Sequence, residues 1–192
     1  CSDKTGTLTE NAMTVRALYC ADRHSAVDGH GYNPEGTIRR AAEPVNIAGA
    51  VRECLVAGAL CNDASLARSG RQWAITGDPT EAALLVLARK GGLDEATLHA
   101  LFPRQDELPF DASRQYMATA HRSAGEQLVY VKGALERLLP RCIEQLGDDG
   151  QPAPLDTAGI EAAAHELAGQ GMRVLLLARR IFEENPGLTA DG

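Results

Sequence analysis

Residues 1–11 read CSDKTGTLTEN, and they gather the side chains that phosphoryl transfer to a carboxylate requires. Asp3 offers an acceptor carboxylate and Lys4 a cation beside it. Thr5, Gly6 and Thr7 supply hydroxyls and backbone N–H groups able to hold a transferred phosphoryl group. Such a site also calls for a magnesium ion. A polar turn without chemistry is the plain alternative.

The donor of that phosphoryl group would need a site of its own, and the familiar ones are missing. No GxxxxGK[ST] run and no GxGxxG after a strand occurs. The histidines, His24, His30, His99, His121 and His165, show no metal-ligand spacing, and no serine or cysteine sits in a hydrolase elbow. An adenine nucleotide held without a P-loop wants an aromatic face, an apolar floor and a lysine or arginine for the phosphates. Three Phe, four Tyr and one Trp leave few choices. Phe110 stands just before one strand-like run and Lys132 at the end of the next, so a hairpin would bring them together. Equally, Phe110 could be a core anchor and Lys132 a solvated strand end at the sheet margin.

The elements that would position these residues follow from periodicity and punctuation. Residues 13–21 read as a strand, and residues 22–43, with Gly29, Gly31, Asn33-Pro34 and Gly36, as a loop. Ile47, Val51, Cys54, Leu55 and Gly58 fall at helical spacing, with Arg52 and Glu53 outside. Residues 72–76 form a short strand. Asp78 then caps a helix with Pro79 at its first position and Glu81 placed to close a capping box; Gly91-Gly92 ends it. A short helix follows Asp94, with Leu98, Leu101 and Phe102 as its apolar contacts. Residues 114–122 and 126–132 form a hairpin around Ser123-Ala124-Gly125. Leu128, Tyr130 and Lys132 share one face, Val129 and Val131 the other. Residues 133–139 read as a brief helix cut at Pro140, and residues 147–154 as an exposed loop. Asp156 caps a helix striped by Ile160, Ala163, Ala164 and Leu167. Residues 172–178 are nearly all apolar and read as a strand buried on both faces; the tail after Glu183 frays. This order predicts an α+β fold, a largely antiparallel twisted sheet flanked by helices.

At 192 residues the chain suffices for one sizeable core or a domain plus a fragment. No apolar run approaches the roughly 18 residues a membrane span needs. The 26 acidic against 19 basic residues, net −7, argue against nucleic acid or an anionic membrane surface as partner. Five widely spaced cysteines without a CxxC pair suggest neither a disulfide framework nor zinc, and a reducing cytosol is the simpler setting. Cys1 in place of an initiator Met reads as a piece cut from something larger.

The opening motif resembles the phosphorylation signature of P-type ATPases, ion pumps that pass through an aspartyl-phosphate, and the likeness runs on down the chain. Phe110-Asp111-Ala112-Ser113-Arg114 with Met117 resembles the adenine-pocket segment of the type II pumps' nucleotide-binding domain. Lys132-Gly133-Ala134 with Glu136 resembles its KGA motif. Gly77-Asp78-Pro79-Thr80-Glu81-Ala82-Ala83-Leu84 resembles its helix-opening segment, and Cys61-Asn62-Asp63 another landmark. Met172-Arg173-Val174-Leu175 resembles the strand whose arginine reaches the phosphates.

The resemblance implies that Phe110 stacks on adenine, Glu81 bonds its amino group, and Met117 and Leu175 line the pocket. Lys132, with Gly133 beside it, and Arg173 would meet the base and phosphates, and Arg114 belongs to the same nucleotide-binding set. Asp3 would be the phospho-acceptor aided by Lys4 and Thr5, with Asp3 and Thr5 as magnesium ligands in the full-length protein. Residues 1–11 would then be a remnant of the phosphorylation domain and start of a hinge, 12–182 the nucleotide-binding domain and 183–192 a tail. Implied partners are ATP with magnesium and the pump's remaining phosphorylation, actuator and transmembrane domains, at the cytosolic face of a membrane. The fragment itself would be soluble and monomeric. Gln115 and Ala112 stand where relatives carry a lysine and the calcium pump an arginine, which implies fewer phosphate contacts. Nothing like the GDGxND magnesium segment is present, so the isolated chain is expected to bind nucleotide without turnover. The alternative is a soluble phosphatase of the related haloacid dehalogenase superfamily, but Thr5 stands where those enzymes place their second acid.

Overall fold

Turn chemistry and burial together settle most elements of the computed structural model, which describes residues 12–70, 72–183 and 187–189. Elements are numbered in chain order. Strands β1 (Ala17–Cys20), β2 (Arg23–Val27), β3 (Ile38–Arg40) and β4 (Glu43–Pro44) form an antiparallel sheet in that order. The span expected to be loop thus holds three of its strands. Two of its turns are made by Ala21-Asp22 and Ala41-Ala42, all at positive φ (51°, 59°, 48° and 71°). Two left-handed central residues match the twist of a tight hairpin whether or not one is glycine.

Helix α1 (Gly49–Leu60) follows, then the hairpin of β5 (Ser65–Ser69) and β6 (Gln72–Thr76). Helix α2 (Pro79–Lys90) begins as expected. Asp78 accepts from the Thr80 N–H (2.8 Å) and the Glu81 N–H (3.3 Å), and Pro79 fills the first turn. Asp78→Ala is expected to cost about 1 kcal/mol in denaturant unfolding; a loss under about 0.3 kcal/mol would show that the cap contributes nothing. Helix α3 (Glu95–Leu101) is capped by Asp94, and it buries Leu98 while leaving Leu101 56% exposed, against expectation.

The larger sheet has the order β12-β9-β8-β7, from β7 (Arg104–Asp111), β8 (Tyr116–Ser123), β9 (Glu126–Gly133) and β12 (Leu176–Phe182), all antiparallel. The β8–β9 hairpin turns on Ala124-Gly125. Strand β7 was not anticipated, because Pro109 interrupts it; as an edge strand with register shifts it tolerates a residue without an N–H. The last strand starts at Leu176 rather than Met172 and lies at the other edge, half-buried at best, rather than in the interior. Between β9 and β12 come α4 (Leu135–Leu138), a 3₁₀ turn (Leu139–Arg141) that runs through Pro140, and a small hairpin. That hairpin, β10 (Glu144–Leu146) with β11 (Pro152–Pro154), occupies part of the expected loop and leads into α5 (Thr157–Gly169), capped by Asp156. Of its expected stripe only Ala163 is fully buried.

Helices α1 and α2 lie between the two sheets. Leu55, Val51 and Leu87 pack with Leu18, Val27 and Ile38 of the small sheet. Val56, Leu60, Leu85 and Val86 pack with Met117, Leu128 and Tyr130 of the large one. Glu53, expected outside, is turned inward: Arg179 pairs with it at 2.7 Å and the Tyr130 hydroxyl donates to it at 2.9 Å. Beyond Glu183, Leu188 packs on the sheet's far face, and its N–H donates to Asp106. No helix of the described residues is long and apolar enough to cross a membrane.

Candidate functional site

Cross-strand register assembles the site. Lys132 on β9 lies opposite Met117 on β8 and opposite Leu177 on β12. On β7 the register skips from Leu108↔Ala118 to Asp111↔Tyr116, so Pro109 and Phe110 form a bulge across from Met117. A single transverse row therefore holds Leu177, Lys132 and Met117 and runs out to the bulge at Phe110. Phe110 is 57% exposed, the one aromatic among the exposed large apolar side chains of the described residues. Beyond it Asp111 shapes the turn into β8 by accepting from the Ser113 N–H and hydroxyl and from the Arg114 N–H.

Lys132 is not a solvated strand end. It lies on an inner strand, buried, and its ammonium donates to Glu81 Oε1 at 2.8 Å. Glu81 Oε2 accepts from the Asp63 N–H at 3.2 Å. The expected capping box is thus left open: the Glu81 carboxylate turns toward the sheet and the Cys61-Asn62-Asp63 turn. Asn62 fixes that arrangement from the other side, its amide donating to the Glu81 carbonyl and the Gly58 carbonyl, each at 2.9 Å. With two of its lone pairs taken, the carboxylate keeps capacity for a further donor. Cys61, beside it, is inert: burial pushes its thiol up to about 11.

Gly133 follows Lys132 in a position only glycine fits, since a Cβ there would collide with the Tyr116 Cβ and the Gln115 carbonyl. Its partners are Tyr116 and Leu176. Leu175, half-buried, and Arg173, exposed, lie in the irregular approach to β12. The charge of Arg173 is felt at Asp78. Burial pushes the Asp78 carboxyl up, but the Thr80 hydroxyl, the Thr80 and Glu81 N–H groups and Arg173 outweigh it and hold it below its usual range.

Two expected residues are placed differently from the rest. Met117 is a buried core side chain, and Arg114 folds back to donate to the Pro109 carbonyl at 2.9 Å. Asp3, Lys4 and Thr5 lie outside the described residues. Among the described residues no group of three His, Cys, Asp or Glu could hold a metal ion. Two surface depressions lie away from the row: one of about 360 Å³ lined by Trp73, Arg89 and Leu93, and one of about 300 Å³ along Arg104, Gln105, Asp106 and Glu107. Sequence reading missed Leu177, Arg104 and the hydrogen-bonding role of Asp63. Leu177 is discoverable only from the β9–β12 register, and Arg104 only once β7 is known to be a strand.

Chemically, the row presents an exposed aromatic face and a buried ammonium–carboxylate pair. Comparison with known proteins identifies the family. Residues 50–191 match the family described as "P-type ATPase, cytoplasmic domain N". The chain is 46% identical over 190 residues to "Cation-transporting ATPase pma1" of Synechocystis sp., covering 95% of this chain and 21% of that protein. It is 34% identical over 186 residues to the "Calcium-transporting ATPase" of Bacillus subtilis, covering 94% and 21%. With the "Calcium-transporting ATPase type 2C member 2" of Mus musculus it shares 34% over 189 residues, covering 93% and 19%. The chain spans about a fifth of the length of these curated relatives. The helices, the antiparallel sheets and a family match across most of the sequence agree, and the chain belongs to the P-type ATPases, as their cytoplasmic domain N.

Proposed function

We propose that this domain binds ATP at the Lys132–Met117–Phe110 row and presents the γ-phosphate to Asp3 of the same protein. The observation that supports it most is the buried Lys132–Glu81 pair lying two strands in from an exposed phenylalanine, on the same transverse row. A buried ion pair is a weak device for stability alone, and an aromatic exposed beside it costs solvation. Both make sense if a planar, amino-bearing base stacks on Phe110 and donates to Glu81. Lys132 and Arg173 then face the base and phosphates, Gly133 gives the close approach, and Leu175 adds apolar lining. Met117 supports the floor from beneath, and Arg114 holds the bulge.

In the full-length protein Asp3 would accept the phosphoryl group, with Lys4 and Thr5 steadying its charge. Asp3 and Thr5 are hard oxygen donors of the kind magnesium takes, and the ion would neutralise phosphate charge there. Residues 1–11 then belong to the neighbouring phosphorylation domain, and the isolated chain holds nucleotide without turnover. Relatives named as cation- and calcium-transporting ATPases support a cation pump as parent, with calcium the first candidate.

One titration tests the reading. Followed by NMR, ATP is expected to shift the signals of Phe110, Glu81, Lys132 and Arg173 together; shifts confined to residues 1–11 would overturn the site. Gln115 and Ala112 remove two positive charges expected near the phosphates, so the base should supply most of the affinity. Adenosine is then expected within about tenfold of ATP, roughly one charged hydrogen bond's worth. A gain of a hundredfold or more from the triphosphate would contradict it.

A further inference from the structure

Arg104 makes more hydrogen bonds than its place on an edge strand would require, and they converge on one turn. Its Nη2 donates to the Leu60 carbonyl (3.1 Å) and the Asn62 carbonyl (2.5 Å), the former among the last of α1. Its Nη1 donates to Asp63 Oδ1 (2.7 Å) and Glu107 Oε2 (2.8 Å). The guanidinium side chain is 24% exposed, and the charges of Asp63 and Glu107 together with their hydrogen bonds hold its proton more tightly than usual although burial works against it. A planar fork of fixed donors can span two carbonyls and two carboxylates at once; an ammonium cannot.

The turn so fixed is the one that orients Glu81. Asp63 carries the N–H that bonds Glu81 Oε2, while Asn62 bonds the Glu81 carbonyl. Lys132 holds Oε1 alone, and a single contact to one oxygen leaves the carboxylate free to swing about it. Both oxygens are located only while Asp63 is located, and Arg104 locates Asp63 through its side chain and through the carbonyl of the residue before it.

We propose that Arg104 is a positioning residue for nucleobase selection. It touches no part of the ligand, yet through Asp63 it aims the Glu81 carboxylate at the exocyclic amino group of adenine. The inference rests on the nucleotide reading of the Phe110–Lys132 row. It adds that discrimination between an amino and a carbonyl group on the base is set by a side chain on β7.

The test compares ATP with inosine triphosphate, which carries a carbonyl where adenine has its amino group, by calorimetric titration of the 192-residue chain. A donor lost to a carboxylate should give the wild type a preference for ATP of about 10- to 100-fold. Arg104→Lys, which keeps the charge and loses the fork, is expected to cut that preference to within about threefold, leaving inosine triphosphate affinity within about twofold. A merely structural arginine would weaken both ligands in proportion and leave the ratio intact, and that result overturns the inference. Asp63→Asn, at an exposed position that does not threaten folding, is the second variant. It keeps the N–H and weakens the anchor, and the ATP preference should fall at least about threefold. An unchanged ratio in Asp63→Asn likewise overturns the inference. A wild type that binds both nucleotides equally, or neither, overturns the nucleotide reading itself and the inference with it. A wild type that discriminates, paired with variants that discriminate equally, overturns only the role of Arg104.

Discussion

Lys132→Met and Glu81→Leu are each expected to lower the unfolding free energy by about 3–5 kcal/mol, while the double variant comes within about 2 kcal/mol of wild type. The side chains are only 7% and 16% exposed, so removing one leaves the other's charge buried with no counter-ion. Removing both ends that conflict and replaces the pair with apolar contact among Met117, Leu177 and Cys61, its neighbours across and beneath the strands. The Asp63 N–H that loses Glu81 is at an exposed residue, where water can take over. Equilibrium denaturation of the four proteins gives the coupling directly. Single losses under about 1 kcal/mol, or a double variant that is simply additive, would show that the pair is well solvated and would remove the chief support for a ligand role. All three variants should lose ATP binding, so stability and binding separate in the double variant.

The second large effect concerns His121. Its side chain is fully buried on β8, Nδ1 at 2.9 Å from the Phe102 carbonyl and Nε2 at 2.9 Å from the Thr119 hydroxyl. Burial lowers its pKa from the usual 6.5 to about 4; the Phe102 carbonyl works the other way, and the charges of Arg104 and His99 add to the lowering. The folded protein therefore keeps the imidazole neutral where the unfolded chain would already be protonated. Stability from this source is fully present above pH 6.5 and drains away as the pH falls toward 4. By pH 4.5 the loss is about 2.5 kcal/mol, before most unfolded-state carboxylates take up protons. Denaturant unfolding at pH 7.5, 6.5, 5.5 and 4.5 should show that slope, and His121→Asn should flatten it. A wild-type stability that is level across this window would mean that the imidazole titrates as though in water.

How far the sequence speaks for itself can be judged from particular residues. Asp78 and Pro79 announce α2, Asp94 and Asp156 announce two more helices, and the alternation of Leu128, Tyr130 and Lys132 gives β9 its faces, because each signal is local. The β1–β2 and β3–β4 hairpins stayed hidden because alanines occupy left-handed turn positions that asparagine or glycine usually mark. Strand β7 hid behind Pro109, whose penalty vanishes at a sheet edge. At the candidate site, residue types were legible, and so was the meeting of the Phe110 and Lys132 segments. The choice Glu81 makes between its own helix cap and a lysine 51 positions away was not, since only tertiary packing decides it. The same holds for Arg104, a plain strand-end cation until its four partners are in place.

The pair that joins α2 to β9 also bears on how the molecule assembles. Strands β7, β8 and β9 are linked by short turns, so their sheet can close at little entropic cost. Strand β12 joins only after the chain has passed through residues 134–175, and Glu81 meets Lys132 only when the helical layer docks. The Lys132–Glu81 contact between helix and sheet is then expected to be among the last parts to form and among the first to open. A ligand bridging Phe110 and Glu81 would act as a latch between layers, slowing unfolding far more than it hastens folding.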